Sequence, residues 1–209
     1  MNMMETQETM DINEVKLRGF IVGKYIPKPG LIILTVCVPS SKSNMPNYPK
    51  VVFFGKDVEM ADSFNTYAHV EIDATIQTQR KITEAKKIYT QSIVGKTIKE
   101  TERTMSVAFN SDIGGSYLQP ENSFKLKGTV RKRVLVTDNV LEITVETYIN
   151  GRHSFVKMYK YGTKVKMLLE TLAEGTQVFV LGEVQTLKKV KDGQTSYFEN
   201  MVIKEIKAV

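Results

Sequence analysis

The sequence predicts an all-β chain: two tandem five-stranded barrels with one short helix in each. Three observations carry this reading. Residues 70–98, "VEIDATIQTQRKITEAKKIYTQSIVGKTI", align without a gap on residues 178–206, "VFVLGEVQTLKKVKDGQTSYFENMVIKEI". Alternating apolar and polar runs recur in the same order on both sides of the midpoint. Between the two series lies "MSVAFNSDIGGSYLQPEN" (105–122), which holds Gly114-Gly115 and Pro120 and no basic residue.

The repeat has a shift of 108 positions over its gapless part, where Val70/Val178, Gln77/Gln185, Thr78/Thr186, Lys81/Lys189, Tyr89/Tyr197, Val94/Val202, Lys96/Lys204 and Ile98/Ile206 are identical. Upstream, "KLRG" (16–19) answers "KLKG" (125–128), "LTV" (34–36) answers "ITV" (143–145), and "FG" (54–55) answers "YG" (161–162). Small changes of shift are what differing loop lengths produce. The chain therefore divides into a flexible N-terminal segment (1–11), a first domain (12–104), a linker (105–122) and a second domain (123–209).

Each element has its own signal. In the first copy, alternation marks strands at 13–26, 31–39 and 48–55, a helix at 57–67, and strands at 69–82 and 88–100. The second copy gives strands at 124–137, 140–149 and 153–161, a helix at 164–174, and strands at 176–190 and 195–207. The second helix is the clearer: Thr163 stands where a cap belongs, Val165, Leu168, Leu169 and Leu172 recur at helical spacing, and Gly175 ends it. Asp192-Gly193 between two alternating runs is a hairpin signal. Five strands with a helix between the third and fourth is the order of an OB-fold barrel. Gly19 and Gly128, inside the two first strands, suit the sharp bend that barrel closure requires.

The third strands point to a function. Tyr48, Lys50, Val52 and Phe54 share one face, opposite Val51 and Phe53; Phe155, Lys157, Tyr159 and Tyr161 share one face, opposite Val156 and Met158. One face is apolar and suits a barrel interior, while the other mixes aromatics with lysine. Aromatic faces stack unpaired bases and lysines answer phosphates, so such a surface fits single-stranded nucleic acid without sequence preference. It also fits a half-solvated sheet, since aromatics are enriched in strands anyway; its recurrence at matched positions in both copies favours binding. Tyr159 and Phe198 suit local packing equally well, and Tyr67, at the end of the first helix, reads as structural. The fourth–fifth hairpins add Arg80, Lys81, Lys86 and Lys87 in one copy and Lys188, Lys189 and Lys191 in the other. Charge runs are usually solvated, but these occupy the loop with which OB-folds hold oligonucleotides. Tyr89, Tyr148 and Tyr197 complete the set of candidate contacts.

Composition agrees. Net charge is +6; residues 12–104 carry +5 and 123–209 carry +6, so both domains are basic while the connecting segments are acidic. The single cysteine, Cys37, sits in the apolar run "LIILTVCV" and reads as a small buried hydrophobe. It leaves no internal disulfide framework. No apolar run approaches a membrane span, and the acidic start lacks the basic region of a secretion signal, so a cytoplasmic protein with no membrane partner is expected.

Both copies resemble the bacterial single-stranded-DNA-binding protein family. "NEVKLRG" (13–19) resembles its opening strand, an Asn followed by "V-x-L-x-G"; "YPKVVFFGK" (48–56) is similar to its "W-H-R-V-V-x-F-G-K", with Tyr48 in the tryptophan's place; "FVKMYKYGT" (155–163) follows more loosely. The stretch 172–206 is similar to that family's last two strands and their hairpin. The likeness covers nearly all of 13–100 and 123–207, and its specificity lies in the order of the motifs, in duplicate. It implies sequence-independent coating of single-stranded DNA in replication, recombination and repair, by assemblies presenting four OB domains; a homodimer of this tandem chain follows. By position, the base-stacking aromatics carry over to Tyr48, Phe54, Phe155 and Tyr161. The family's hairpin aromatic falls on Lys81 and Lys189, its acidic tip is missing, there is no tryptophan, and the compact tandem form resembles phage or mobile-element versions.

An enzyme finds little support. His69 and His153 occupy non-equivalent positions without a cluster of metal-ligand spacing, each reading as structural, and no phosphate loop or nucleophile elbow is present, so no cofactor is expected. An OB-fold adaptor of a replication or primosome complex, meeting replication or recombination proteins, and a single-stranded RNA-binding protein are the alternatives.

Overall fold

In a computed structural model, residues 10–40, 45–82, 87–103, 118–191 and 194–209 are described, with side chains outside 80–88 and 188–195. The first half runs β1 (Ile12–Lys28), β2 (Leu31–Cys37), β3 (Lys50–Phe54), α1 (Asp57–Asp62), β4 (His69–Ile82) and β5 (Lys87–Glu100). The second repeats the order: β6 (Glu121–Thr137), β7 (Val140–Ile149), β8 (Arg152–Tyr161), α2 (Val165–Thr171), β9 (Gln177–Lys191) and β10 (Gln194–Ala208). Hydrogen bonding closes β1-β2-β3-β5-β4 back onto β1, and β6-β7-β8-β10-β9 back onto β6. Only the β3–β5 and β8–β10 neighbours are parallel. These are the two five-stranded OB barrels that the element order predicts. β6 begins at Glu121, two residues inside the stretch read as linker.

Alternation explains the interior. In β3 the residues Val51 and Phe53 are fully buried, as are Val156 and Met158 in β8, so the inward and outward faces fall as the period-2 pattern places them. The bends also have a steric cause. A Cβ on Gly19 would lie 2.1 Å from the Cys37 carbonyl oxygen, and one on Gly128 would lie 2.1 Å from that of Glu146. At these points β1 and β6 take up their second neighbour, β2 and β7 respectively, and only a bare backbone lets the strands approach so closely.

The copies fill equivalent space differently. Phe53 packs over Gly95, whose Cβ would lie 2.2 Å from its ring. The twin positions hold Lys160 and Ile203, and the Lys160 ammonium reaches out to the carbonyls of Ile203 (3.3 Å) and Lys204 (2.6 Å). Where the first barrel pairs Val15 with Ala74, the second pairs Phe124 with Gly182. Large-with-small swaps of this kind keep the volume of a close-packed core.

Both helices correct the expectation. α1 stops at Asp62, not at 67, and Tyr67 lies beyond it, exposed, in the left-handed region (φ 71°), its N–H donating to the Ile21 carbonyl. Thr163 does not cap α2: the cap position is Lys164, without a side-chain hydrogen bond. Gly175 does not end it either; the helix closes at Thr171, and Gly175 turns the chain afterwards at φ 87°. The free carbonyls at the helix end go to a cation from the first strand of the barrel. Arg133 Nη1 donates to Leu169 O (2.6 Å) and Leu172 O; its twin Lys24 donates to Asp62 O and, at 3.2 Å, Phe64 O, and pairs with the Asp62 carboxylate at 2.6 Å.

The barrels join into one ten-stranded sheet through β1 and β6, antiparallel, with Ile12 opposite Lys127 and Arg18 opposite Glu121. Twin residues Val15 and Phe124 face each other in that register, so a pseudo-twofold axis runs through their pair. Asn13 donates to Ile76 O (2.7 Å) and accepts from Ile76 N; Asn122 does the same with Val184 (2.7 and 2.9 Å).

Candidate nucleic-acid interface

The pseudo-twofold lays the long hairpin of each barrel across the third strand of the other. Tyr48 N donates to Thr186 Oγ1 (2.8 Å), Lys50 N to Glu199 Oε1 (2.6 Å), and Thr186 N to Asn47 Oδ1 (3.0 Å). On the other side Phe155 N donates to Thr78 Oγ1 (2.9 Å) and Lys157 N to Gln91 Oε1 (2.9 Å), while Gln91 Nε2 returns a bond to Lys157 O (3.3 Å). Side chains of one barrel thus satisfy backbone groups that β3 and β8 leave open, and fix the aromatic–lysine faces against their neighbours.

One groove follows directly. It is lined by Tyr48 just ahead of β3, Lys50 and Val52 of β3, Ile33 of β2, Gln91 and Ser92 of β5, and Thr186, Tyr197, Phe198 and Glu199 from the second barrel. At ≈ 270 Å³ and open to solvent it is smaller than a typical small-molecule pocket. It is an aromatic channel with cationic and acidic edges. Burial raises the Tyr48 hydroxyl above its ordinary pKa, as does its hydrogen bond with Cys37, a buried thiol itself raised by burial. Burial also raises the Glu199 carboxyl, against the downward pull of the Lys50 N–H and charge.

Of the sequence-predicted contacts, Tyr48, Lys50 and Tyr197 meet in this groove. Phe54 and Tyr89 stand exposed on the first barrel, and Tyr161 on the second, its hydroxyl accepting from Asn200 (3.3 Å). Tyr159 is half-buried and donates to Glu142 Oε2 (3.1 Å); burial first and the Glu142 charge second push its pKa up to about 12. Lys157 lies 3.5 Å from the same carboxylate. Lys86 lies outside the described residues. So do the side chains of Arg80, Lys81, Lys87, Lys188, Lys189 and Lys191, whose backbones belong to the strands flanking the hairpin turns.

Sequence reasoning missed two partners. Phe198 is exposed in the groove wall and not packed away. His153, read as structural, is an exposed member of an aromatic ladder: its ring lies 4.5 Å from Tyr148 and stacks at 17° on Phe155 (6.5 Å). Its Nδ1 meets Glu146 Oε1 at 2.6 Å, and Arg131 Nε donates to the other oxygen at 2.5 Å. Alternation along "YINGRHSF" places Tyr148 and His153 as cross-strand neighbours once the turn is known, and that register was the missing signal.

No group of three or more His, Cys, Asp or Glu side chains among the described residues is placed to hold a metal ion, and no helix there is long and apolar enough to cross a membrane.

No protein-family model matches the chain, and no curated protein matches it in sequence. Solved structures do match. The single-stranded DNA binding protein from Thermus aquaticus, at 13% identity, superposes with a TM-score of 0.65 over 96% of this chain and 94% of its own. A deletion mutant of the same protein gives 14%, 0.64, 96% and 95%. The chain is similar in fold to these proteins over nearly its whole length.

Proposed function

We propose that the protein binds single-stranded DNA without sequence preference, coating and protecting it in replication, recombination and repair. The observation that carries this reading is the groove in which Tyr48, Tyr197 and Phe198 converge from two barrels beside Lys50. Stacking on such faces contributes roughly 1–3 kcal/mol per base and tolerates any base. The fold shared with a protein named for single-stranded DNA binding supports the same reading. The domains are 12–104 and 123–209, the second extended back to Glu121 by β6, and two chains associate to present four barrels; sedimentation at micromolar concentration then gives twice the chain mass, and a strictly monomeric profile removes that part. Replication or recombination proteins are the proposed protein partners.

Fluorescence anisotropy with dT, rU and duplex oligomers of equal length tests the main claim. The expected order is dT first, duplex far weaker, with affinity falling steeply as salt rises. Equal affinity for duplex overturns single-strand binding, and a clear preference for rU transfers the function to RNA.

A further inference from the structure

A second cavity lies between β4 and the β7–β8 hairpin, where the two barrels meet. Four described residues of the molecule are polar and buried: Asn13, Thr75, Thr147 and Ser154. All four line this one cavity. Asn13 Nδ2 donates to Thr147 Oγ1 (3.2 Å), and Gln77 Nε2 to Thr75 Oγ1 (3.4 Å), so those hydroxyls accept. No acceptor among the described residues takes the protons of the three hydroxyls. Hydroxyls with protons still to donate, at the floor of an open polar cavity, suit water or an anion as the acceptor.

Charge selects between the two. Lys96 and Arg152 complete the lining, and neither forms an ion pair among the described residues. No carboxylate among the described residues lines the cavity; Asp11 Oδ2 accepts the N–H of Tyr148, the neighbour of Thr147 (2.8 Å).

The repeat supplies an internal control. The twin cavity is lined by Asn122, Met45, Ser40, Asn47, Glu183 and Lys204. There Glu183 stands at the position of Thr75 and pairs with Lys204 at 2.7 Å, also accepting from Gln185 (2.7 Å), while Met45 stands at the position of Arg152. One cavity is neutralised by its own residues; the other keeps two unpaired cations over a floor of hydroxyl donors. Its ≈ 160 Å³ is room for about five waters, enough for one tetrahedral oxyanion.

We infer that the Lys96–Arg152 cavity is a phosphate-binding site, and that its occupant is a phosphodiester of the bound strand. This rests on the proposed function for its occupant but not for its chemistry. Arg152 and Lys96 are exposed, so Lys96→Gln/Arg152→Gln is compatible with folding. Its slope of log K against log salt for a dT oligomer should be shallower than wild type by about 0.7, the value for one phosphate on a single strand. Thr75→Glu, which installs the carboxylate of the twin, should do the same, and Lys204→Gln should leave the slope unchanged.

A second arm follows thermal unfolding with inorganic phosphate replacing chloride at constant ionic strength. A phosphate-induced rise in Tm that is lost in the double variant, with an unchanged dT slope, keeps the phosphate site but overturns the strand as its source. Loss of neither effect overturns the inference entirely. If wild type binds no dT at all, the proposed function fails, and the phosphate arm alone decides the cavity.

Discussion

Gly95 has no room for a methyl group, because the Phe53 ring already occupies that space. Gly95→Ala should therefore lower stability by about 1–3 kcal/mol, the usual cost of overpacking. In a Phe53→Leu background the same change should cost much less; additive free energies in a urea double-mutant cycle would contradict this account. Glu199 carries a prediction of a different kind. Its twin Gln91 both donates to and accepts from one backbone residue, whereas Glu199 Oε1 accepts from Lys50 N. With its folded pKa raised above the unfolded value, its contribution is full below the unfolded value and is lost as pH rises through the folded one. Glu199→Gln should accordingly match wild type near pH ~4 and exceed it near pH ~7 in denaturant midpoint, and a pH-independent difference would remove the linkage. The in–out sorting of Val51, Phe53, Val156 and Met158 was legible residue by residue. The role of Glu199 was not, since it depends on a backbone N–H 149 positions away.

Strands were legible because alternation is a property of a few consecutive residues; the bounds of β4 and β7 follow from it. The helix ends were not. Thr163 and Gly175 have the right chemistry for caps, but the C-terminal carbonyls of α2 are claimed by Arg133, which precedes them by 36 and 39 positions. A cap supplied from another strand leaves no local signal. Its repetition as Lys24 on α1 argues that the cation, and not its geometry in detail, is what the helix end needs. Arg133→Lys should then keep most of the stability, while Arg133→Ala loses about 1.5–3 kcal/mol by removing charged hydrogen bonds. Equal losses for the two variants in urea denaturation would assign the effect to guanidinium packing instead.

For the whole molecule, the repeat announced two barrels but not how they meet. The β1–β6 seam and crossed-hairpin bonds such as Tyr48 to Thr186 and Phe155 to Thr78 join residues 77 to 138 positions apart, and no periodicity in the chain reports such pairings. That is why Tyr48 and Tyr197 were each nominated without any sign that they share a groove. Sharing has a measurable consequence. Tyr48→Ala and Tyr197→Ala should each weaken dT binding by roughly 1–3 kcal/mol, and their double variant should depart from additivity by more than about 0.5 kcal/mol. Tyr48→Ala with Phe155→Ala, on opposite sides of the pseudo-twofold, should add. Additivity in the first pair would mean that the two rings act on separate stretches of strand.

The axis through Val15 and Phe124 also bears on direction. A polynucleotide runs from 5′ to 3′, and a half-turn perpendicular to its path reverses that arrow. A strand passing straight over both aromatic–lysine faces therefore meets the second with the opposite polarity from the first. Only a strand that doubles back meets equivalent chemistry twice in the same sense. The twin cavities, one neutralised by Glu183 and the other holding Lys96 and Arg152, make the two ends of the molecule distinguishable. A duplication that began as symmetry has thereby acquired a head and a tail.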